Sequence, residues 1–229
     1  MDNSNDNTIP ARVQAYNHLK QLIIMQKLKP GEVITENSIC KQLSIGRSPV
    51  RHALQELSEE GYIKLVHNKG ACVTKFTKKD LINLYEFRVE LEIYALQSAI
   101  HFFYEDDFRT LEQYLKQEEY FFQHGDFLGY VNAISSFHTH IVNKAGNIYV
   151  SQTFRDIMNK ISVYLALYDN FYFYSQKKQS YATPIRKKIL TALRKGNLKS
   201  TQRLLKELGQ SVIAAYDLSP ALQNVPTNE

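Results

Sequence analysis

Two arginines and a serine are the residues of this chain whose types and spacing best suit recognition chemistry. Arg47 and Arg51 are four residues apart in GRSPVRHALQ, so on a helix they lie near one face. The guanidinium fork matches the O6 and N7 acceptors of guanine, and Ser48 with the free N–H groups of a first helical turn can hold a phosphate. Gln55, one turn after Arg51, can add a base or phosphate contact. The pattern predicts a helix whose N-terminal end reads nucleic acid.

A helix, a turn and a second helix are predicted to position these residues. The first of these helices opens at Thr35 or Glu36. Ser44-Ile45-Gly46 is predicted as the turn, with the glycine at the tight corner. Ser48 is expected to cap the helix that carries the arginines, and Gly61 is expected to end it.

A basic β-hairpin is predicted directly after this pair of helices. Residues 62–66 and 71–75 have the pattern of strands, and the four residues between them have the composition of a turn. An apolar helical pattern over 13–25 supplies a further helix ahead of the pair. Three helices followed by a hairpin form a winged helix-turn-helix, whose wing tip can reach the DNA minor groove or its phosphates. The tip consists of His67, Asn68, Lys69 and Gly70.

The charge distribution agrees with this assignment. The chain carries 28 Lys and Arg against 23 Asp and Glu, a net charge of +5. Residues 10–75 hold ten basic against five acidic residues, whereas residues 76–229 hold eighteen against sixteen. The excess therefore lies mainly in the predicted DNA reader, where attraction to phosphates requires it.

The composition argues against several other classes of protein. The sequence has no run of 18 apolar residues, its polar N-terminus is unlike a signal peptide, and Cys40 and Cys72 alone predict no disulfide framework. A cytoplasmic protein without a membrane segment is expected. No P-loop, G-x-S-x-G elbow or G-x-G-x-x-G turn after a strand occurs, so neither an enzyme nor a cofactor is predicted.

The rest of the chain is predicted to be helical. Thr77-Lys78-Lys79-Asp80 resembles a capping box and marks a domain boundary. We predict a mainly α protein, with a winged helix-turn-helix over 10–76 and an antiparallel bundle of six to seven helices over 77–217. The tails 1–9 and 218–229 are expected to be disordered and frayed. The predicted bundle helices after the first cover residues 106–123, 126–144, 147–174, 181–195 and 198–216.

The segment PGEVITENSICKQLSIGRSPVRHALQELSEEGYI closely resembles the signature of the GntR family of transcriptional regulators, of the FadR type. This resemblance implies that the two arginines read bases, that Ser48 meets the DNA backbone and that His67 enters the minor groove. Asn37 is implied as a further DNA contact. The chain departs from the family pattern at His52, where glutamate is usual, and at Asn37. These departures affect the expected operator sequence rather than the docking mode.

The helical region resembles the FCD effector domain found in that family, on the pattern Tyr85-x-x-Arg88-x-x-Leu91-Glu92 and on Phe137-His138. Many FCD domains bind a metal through one Asp and three His. Here the matching positions hold Ile134, His138, Arg186 and a residue near Leu208. One imidazole does not hold a divalent ion, so no metal is predicted. The alternative is a site formed by His138 and His140, although residues two apart point to different helix faces.

Without a metal, two arginines become the candidate ligand-binding groups. If Arg88 and Arg186 face the bundle interior, their guanidiniums suit a small anionic ligand such as a carboxylate. The predicted effector site consists of Tyr85, Arg88, His138, Tyr168 and Arg186. The alternative is that each arginine pairs with an internal acid such as Glu92 or Asp169, or extends its charged end to solvent.

The leading hypothesis is a homodimeric transcriptional regulator, most often a repressor in the resembled family. One winged helix reads only a few base pairs, and two related by a twofold axis read a palindromic operator. A small-molecule effector in the bundle would shift the placement of the two readers. The alternative is a constitutive or architectural DNA-binding dimer whose helical domain only dimerises.

Overall fold

A computed structural model of the chain describes residues 9–66, 70–168, 171 and 180–217. The chain separates into two units, Met1–Phe76 and Thr77–Glu229. The predicted tails lie outside the described residues apart from Ile9, and so do His67, Asn68 and Lys69 of the wing tip. None of the helices in the described residues has the length and apolar character that a membrane span needs.

The described residues of the first unit form three helices: α1 (Ala11–Ile24), α2 (Glu36–Leu43) and α3 (Arg47–Glu59). Apolar residues recur every three or four positions in α1 and α3, and the two helices pack against each other. The remaining positions of α3 therefore point away from the core. The fully buried side chains of the two helices include Ala15, Leu19, Ile23, Val50, Ala53 and Leu57.

A three-stranded antiparallel sheet of order β1-β3-β2 completes this unit. Its strands are β1 (Val33–Ile34), β2 (Ile63–Val66) and β3 (Gly70–Val73). The hairpin of β2 and β3 is the predicted wing, and β1 pairs with the other side of β3, Val33 opposite Cys72. The sequence pattern does not predict β1, because two residues are too few to show an alternation. Cys40 and Cys72 are both free.

The start of α3 differs from the prediction in two details. The helix begins at Arg47 with Gly46 as its N-cap, so Ser48 lies inside the first turn and is not the cap. The left-handed corner residue is Ser44, with φ of 55°, whereas Gly46 has an ordinary φ of −71°. The chain turns immediately after α2 ends, which places the left-handed residue at Ser44. The end of α3 follows the prediction, since Gly61 is left-handed there.

The regular secondary structure of the second unit is helical in its described residues. Within the described residues this unit forms six α-helices, which agrees with the predicted six to seven, and the mainly α fold is confirmed. Its helices are α4 (Lys78–Ala99), α5 (Glu105–Gln123), α6 (Phe127–Asn143), α7 (Ile148–Tyr168), α8 (Thr183–Arg194) and α9 (Leu198–Asp217), with a short 3-10 turn at Ile100–Phe102.

Helix α4 begins with the predicted capping box and runs through the middle of its unit. The Asp80 N–H donates to Thr77 Oγ1 at 3.1 Å, and the Thr77 N–H donates to Asp80 Oδ2 at 2.7 Å. The helix packs against α6, α7 and α9. Polar side chains on its buried face therefore need partners inside the unit.

Replacing Gly70 by alanine is expected to destabilise the first unit. Gly70 has φ of 95°, and a Cβ there would collide with the Ile34 carbonyl in β1. The strained backbone alone should lower the free energy of unfolding by about 1–3 kcal/mol, measured by chemical denaturation.

The matched control for this change is Gly46→Ser. Gly46 has an ordinary φ, and among the described residues its Cβ would meet only Pro49 Cδ, at 3.9 Å. Serine is a good N-cap, so we expect a change within about 0.5 kcal/mol. A Gly70→Ala protein as stable as the wild type would contradict the packing of β1 against Gly70.

Candidate nucleic-acid interface and a buried charged cluster

The outward side of α3 lines a concave surface of about 890 Å³ in the first unit. Arg47, Arg51 and Gln55 follow one another along this side at intervals of four residues, and all three are exposed. Asn37 of α2 and Gly70 of β3 line the same surface. Five of the predicted contact residues are therefore brought together.

Arg51 is held by a carboxylate that sequence reasoning missed. Its Nε donates to both carboxylate oxygens of Glu36, at 2.8 and 2.9 Å. This hydrogen bond raises the pKa of Arg51 above its ordinary value. Within the described residues, the contact with Glu36 orients the Arg51 guanidinium and leaves its two Nη groups available to an external acceptor. Glu36 precedes Arg51 by 15 residues, so no helical spacing links them.

The remaining predicted contacts differ in their surroundings. Gln55 Nε2 donates to Glu59 Oε1 at 2.9 Å, which leaves its amide oxygen as an acceptor. Ser48 is exposed in the first turn of α3 but does not line the concave surface.

Apolar side chains also line this surface, and the sequence analysis did not select them. They can contact sugars or thymine methyl groups. The adjacent apolar residues at positions 65 and 66 break strand alternation, which is the signal that could have identified them. These exposed side chains are Val33, Leu65 and Val66.

A charged cluster lies buried in the second unit. Arg88 and Glu92 are one turn apart on α4, and Arg88 Nε donates to Glu92 Oε2 at 3.2 Å. His138 of α6 joins them, with its Nδ1 2.5 Å from Glu92 Oε1 and its Nε2 2.8 Å from Arg88 Nη2. All three side chains are at most 2% exposed.

A second ion pair extends the cluster to α5 and α8. Arg186 Nη1 donates to Glu118 Oε1 at 2.6 Å, and Thr183 Oγ1 donates to the same oxygen at 2.5 Å. Burial works against the charge of Arg186, but the charge of Glu118 together with three nearby tyrosines outweighs burial and raises the pKa of Arg186. Arg186 Nε lies 3.4 Å from His138 Nε2. The buried Glu118 Oε2 has no hydrogen-bond partner in the described part of the chain, so it can accept a further donor.

The hydrogen bonds indicate a neutral His138 with its proton on Nδ1. Nδ1–H donates to Glu92, and Nε2 accepts from Arg88 and Arg186, which a protonated ring cannot do. Burial and the charge of Arg88 lower the pKa of His138 to about 4. Burial alone would raise the pKa of Glu92, but its contacts with His138 and Arg88 lower it. With His138 neutral, the guanidiniums of Arg88 and Arg186 balance the charge of their two carboxylate partners.

The arginines therefore have the internal partners that the sequence analysis held as its alternative. Arg88 pairs with Glu92, as that alternative states. Arg186 pairs with Glu118, which sequence reasoning did not select, and Asp169 lies outside the described residues. Glu118 was missed because its partner is 68 residues away and on another helix.

The two predicted effector tyrosines are both buried. The Arg88 guanidinium lies over the Tyr85 ring, 5.4 Å from its centroid. Tyr168 of α7 packs on Tyr164, with ring centroids 4.8 Å apart.

This arrangement does not fit the metal site known from other FCD domains. Ile134 and Arg186 stand where the family resemblance implies metal ligands, and the ring nitrogens of His138 are already engaged. Two guanidiniums beside that ring would also repel a cation. His140 Nε2 lies 3.0 Å from Asp107 Oδ1, so the imidazole of the alternative site has a different partner. Within the described ranges no group of three or more His, Cys, Asp or Glu could hold a metal.

Two family models match this chain. Residues 11–73 match the family described as "Bacterial regulatory proteins, gntR family", and residues 83–210 match the FCD domain. The first match contains the concave surface, and the second contains the charged cluster.

Curated relatives are named as transcriptional regulators. The chain is 34% identical over 114 residues to the uncharacterized HTH-type regulator YdhC of Bacillus subtilis, covering 50% of this chain and 51% of that protein. It is 24% identical over 149 residues to the gluconate operon transcriptional repressor of Bacillus subtilis, covering 65% and 61%. The chain thus aligns with about half to two thirds of the length of these relatives.

Solved structures share the fold over nearly the whole chain. Lar, which controls the expression of the Listeria monocytogenes agr system, aligns with a TM-score of 0.67 at 21% identity, covering 93% of this chain and 100% of that one. E. coli McbR/YncC aligns with a TM-score of 0.63 at 21% identity, covering 92% and 98%.

Lowering the pH from 7 to 4 is expected to destabilise the second unit. In the unfolded chain His138 gains its proton near pH 6.5, but in the folded chain only near pH 4, so stability falls through that window. A pKa difference of this size corresponds to about 3 kcal/mol. The lowered pKa of Glu92 acts in the same direction at still lower pH. Chemical denaturation followed by helical circular dichroism measures the loss.

The control for this pH dependence is His138→Gln. Glutamine does not titrate, so this variant should be less stable at pH 7 but lose less stability on acidification. A variant with the same pH slope as the wild type would contradict a neutral, buried imidazole.

Proposed function

Because this chain belongs to the GntR family of bacterial regulatory proteins, we propose that it is a transcriptional regulator that binds a palindromic operator as a homodimer and represses transcription there. The concave surface along α3 carries this proposal, because it gathers Arg47, Arg51, Gln55 and Asn37. One relative is named a transcriptional repressor, which supports repression rather than activation.

Arg51 is the proposed principal base reader. Its Nε is held by Glu36, and its Nη groups match a guanine edge. Arg47, at the first position of α3, is proposed to read an adjacent base, because the N-terminal end of a recognition helix points at base edges. Ser48 is proposed to contact the DNA backbone.

A twofold dimer follows from the small footprint of one winged helix. Two copies related by twofold symmetry present two α3 helices to an inverted repeat. His67, Asn68 and Lys69 are proposed to contact the minor groove or its phosphates beside each half-site. Because bacterial DNA lies in the cytoplasm, the proposal places the protein there.

The proposed effector site is the surroundings of the buried cluster, with Tyr85, Arg88, His138, Tyr168 and Arg186 as its predicted residues. We propose a small carboxylate that also carries a hydroxyl or amine donor. The carboxylate suits a guanidinium, and the donor would satisfy Glu118 Oε2. Binding would change the relative stability of two dimer states, of which the operator selects one.

The second candidate function is a constitutive DNA-binding dimer without an effector. The balanced charges of the cluster favour it, because each arginine already has a carboxylate partner. The two candidates differ in one observable, which is stabilisation of the protein by a small molecule.

Replacing Arg51 by alanine is expected to weaken operator binding by about 1–3 kcal/mol, or roughly 5- to 150-fold, and to relax the base preference at one position of each half-site. Fluorescence anisotropy with operator and random duplexes measures both effects.

Glu36→Gln is the matched variant for the positioning of Arg51. It removes a negative charge from the concave surface, so affinity for random DNA should rise. It also weakens the hold on Arg51, so the ratio of operator to random affinity should fall several-fold.

For the Arg51→Ala variant, an unchanged operator affinity in a folded protein would exclude this docking register.

A hydroxy or amino carboxylate is expected to raise the melting temperature by several degrees when present at about 100 times its Kd. Gluconate and hexanoate make a suitable first pair, because they have equal chain length and differ in hydroxyl groups. The name of the gluconate operon repressor motivates this choice.

Glu118→Leu should abolish any preference for the hydroxylated ligand, since it removes the acceptor. Equal shifts with hydroxylated and deoxy ligands would rule out the role of Glu118. No shift across a broad panel of such acids would favour the constitutive alternative.

A further inference from the structure

Helices α8 and α9 carry a run of positive charge that the proposed function does not use. Residues 180–206 contain eight Lys and Arg residues and no Asp or Glu. Half of these cations meet acids of α4 and α5. The ion pairs are Arg186 with Glu118, Lys187 with Glu119, Arg194 with Glu105 and Glu112, and Lys206 with Glu90.

The other four cations are poorly compensated. Lys188, Lys195 and Lys199 have no acidic partner within 4.0 Å among the described residues, and Arg203 reaches Glu207 only at 4.0 Å. Lys195 follows the last turn of α8, where the negative end of the helix dipole favours a cation. This effect does not account for the positive charges of Lys188 in the middle of α8 or Arg203 within α9.

Three of these cations line one groove of about 410 Å³ between α8 and α9. Lys188 and Lys195 are seven residues apart, which corresponds to about 10 Å along a helix axis. Arg203 lines the α9 side, and Ala192 and Leu204 add apolar surface. Among the described residues, no acidic side chain lines the groove.

Neutral hydrogen-bond donors accompany the cations. Asn197 Oδ1 accepts the Ser200 N–H at 3.0 Å, which leaves the amide nitrogen of Asn197 as a donor. The Ser200 hydroxyl has no hydrogen-bond partner in the part of the chain that the structure describes. Both residues line the groove. Cations together with amide and hydroxyl donors match phosphate oxygens, and lysine binds phosphate without demanding one geometry.

We propose that this groove between α8 and α9 binds successive phosphate groups of an extended polyanion, and that their source is the DNA backbone. The spread of the cations over about two turns of α8 suits several phosphates rather than one. An open groove suits a polymer backbone, since sites for small molecules enclose most of their ligand. The phosphate chemistry stands on the groove alone, and only its assignment to DNA rests on the proposed function.

The first test measures binding of inorganic tripolyphosphate to the full chain by titration calorimetry. The groove variant combines Lys188→Gln, Lys195→Gln and Arg203→Gln. The control variant combines Lys116→Gln, Arg155→Gln and Lys160→Gln, which removes the same charge from exposed positions elsewhere. We expect the groove variant to bind at least about tenfold more weakly than the wild type and the control, on the basis of lost phosphate contacts. Equal affinity of the two variants, or no binding by the wild type, overturns the proposal.

The second test identifies the source of the phosphates. It measures the salt dependence of binding to a long duplex, where each lost phosphate contact reduces the slope by about 0.9. The groove variant should lose up to about 2.7 per protomer, and the control variant less. If tripolyphosphate binding depends on the groove but the two DNA slopes are equal, the source is a free phosphorylated molecule and the DNA assignment is wrong. If the wild type binds tripolyphosphate but no DNA, the proposed DNA-binding function is wrong and the phosphate site of the groove stands.

Discussion

The packing of α3 against α1 is the constraint on which the candidate DNA surface depends. Val50, Ala53, Leu54 and Leu57 are all buried, and this fixes the rotation of α3 about its axis. Positions 47, 51 and 55 must then face outward, because they lie outside the buried stripe of the helix. The hydrophobic core thus decides which side chains are offered to a ligand. Glu36 then adds the orientation of one guanidinium.

The second unit differs from the first in that it keeps charged side chains buried inside a helical bundle. A buried ion pair is weak evidence for stability, because removing two charges from water offsets much of their attraction. Here each charge also has hydrogen bonds, and the neutral His138 joins the two pairs. Arg186 supplies a fixed positive charge at a position where the family resemblance implies a metal ligand. The network therefore holds its two guanidiniums in place without an ion.

The fold follows from the sequence largely because its signals are local. The capping box at Thr77 and Gly61 after α3 each act within a few residues, and both were predicted. Strand β1 has only two residues, so its pairing with β3 is visible only in three dimensions. The contacts of Glu36 and Glu118 with their arginines are likewise visible only in three dimensions. Each acid is too far from its arginine in the sequence for a helical period to link them. Local patterns thus identified the arginines but not the acids that hold them.

Selection of bound duplexes from a random pool, with the purified full chain, tests the central claim most directly. The account predicts enrichment of an inverted repeat whose half-sites are centred about one helical turn, or roughly 10 base pairs, or a multiple of it apart. It also predicts that Arg51→Ala blurs one position in each half-site. An enriched motif without twofold symmetry, or binding that depends on salt but enriches no sequence, would contradict it.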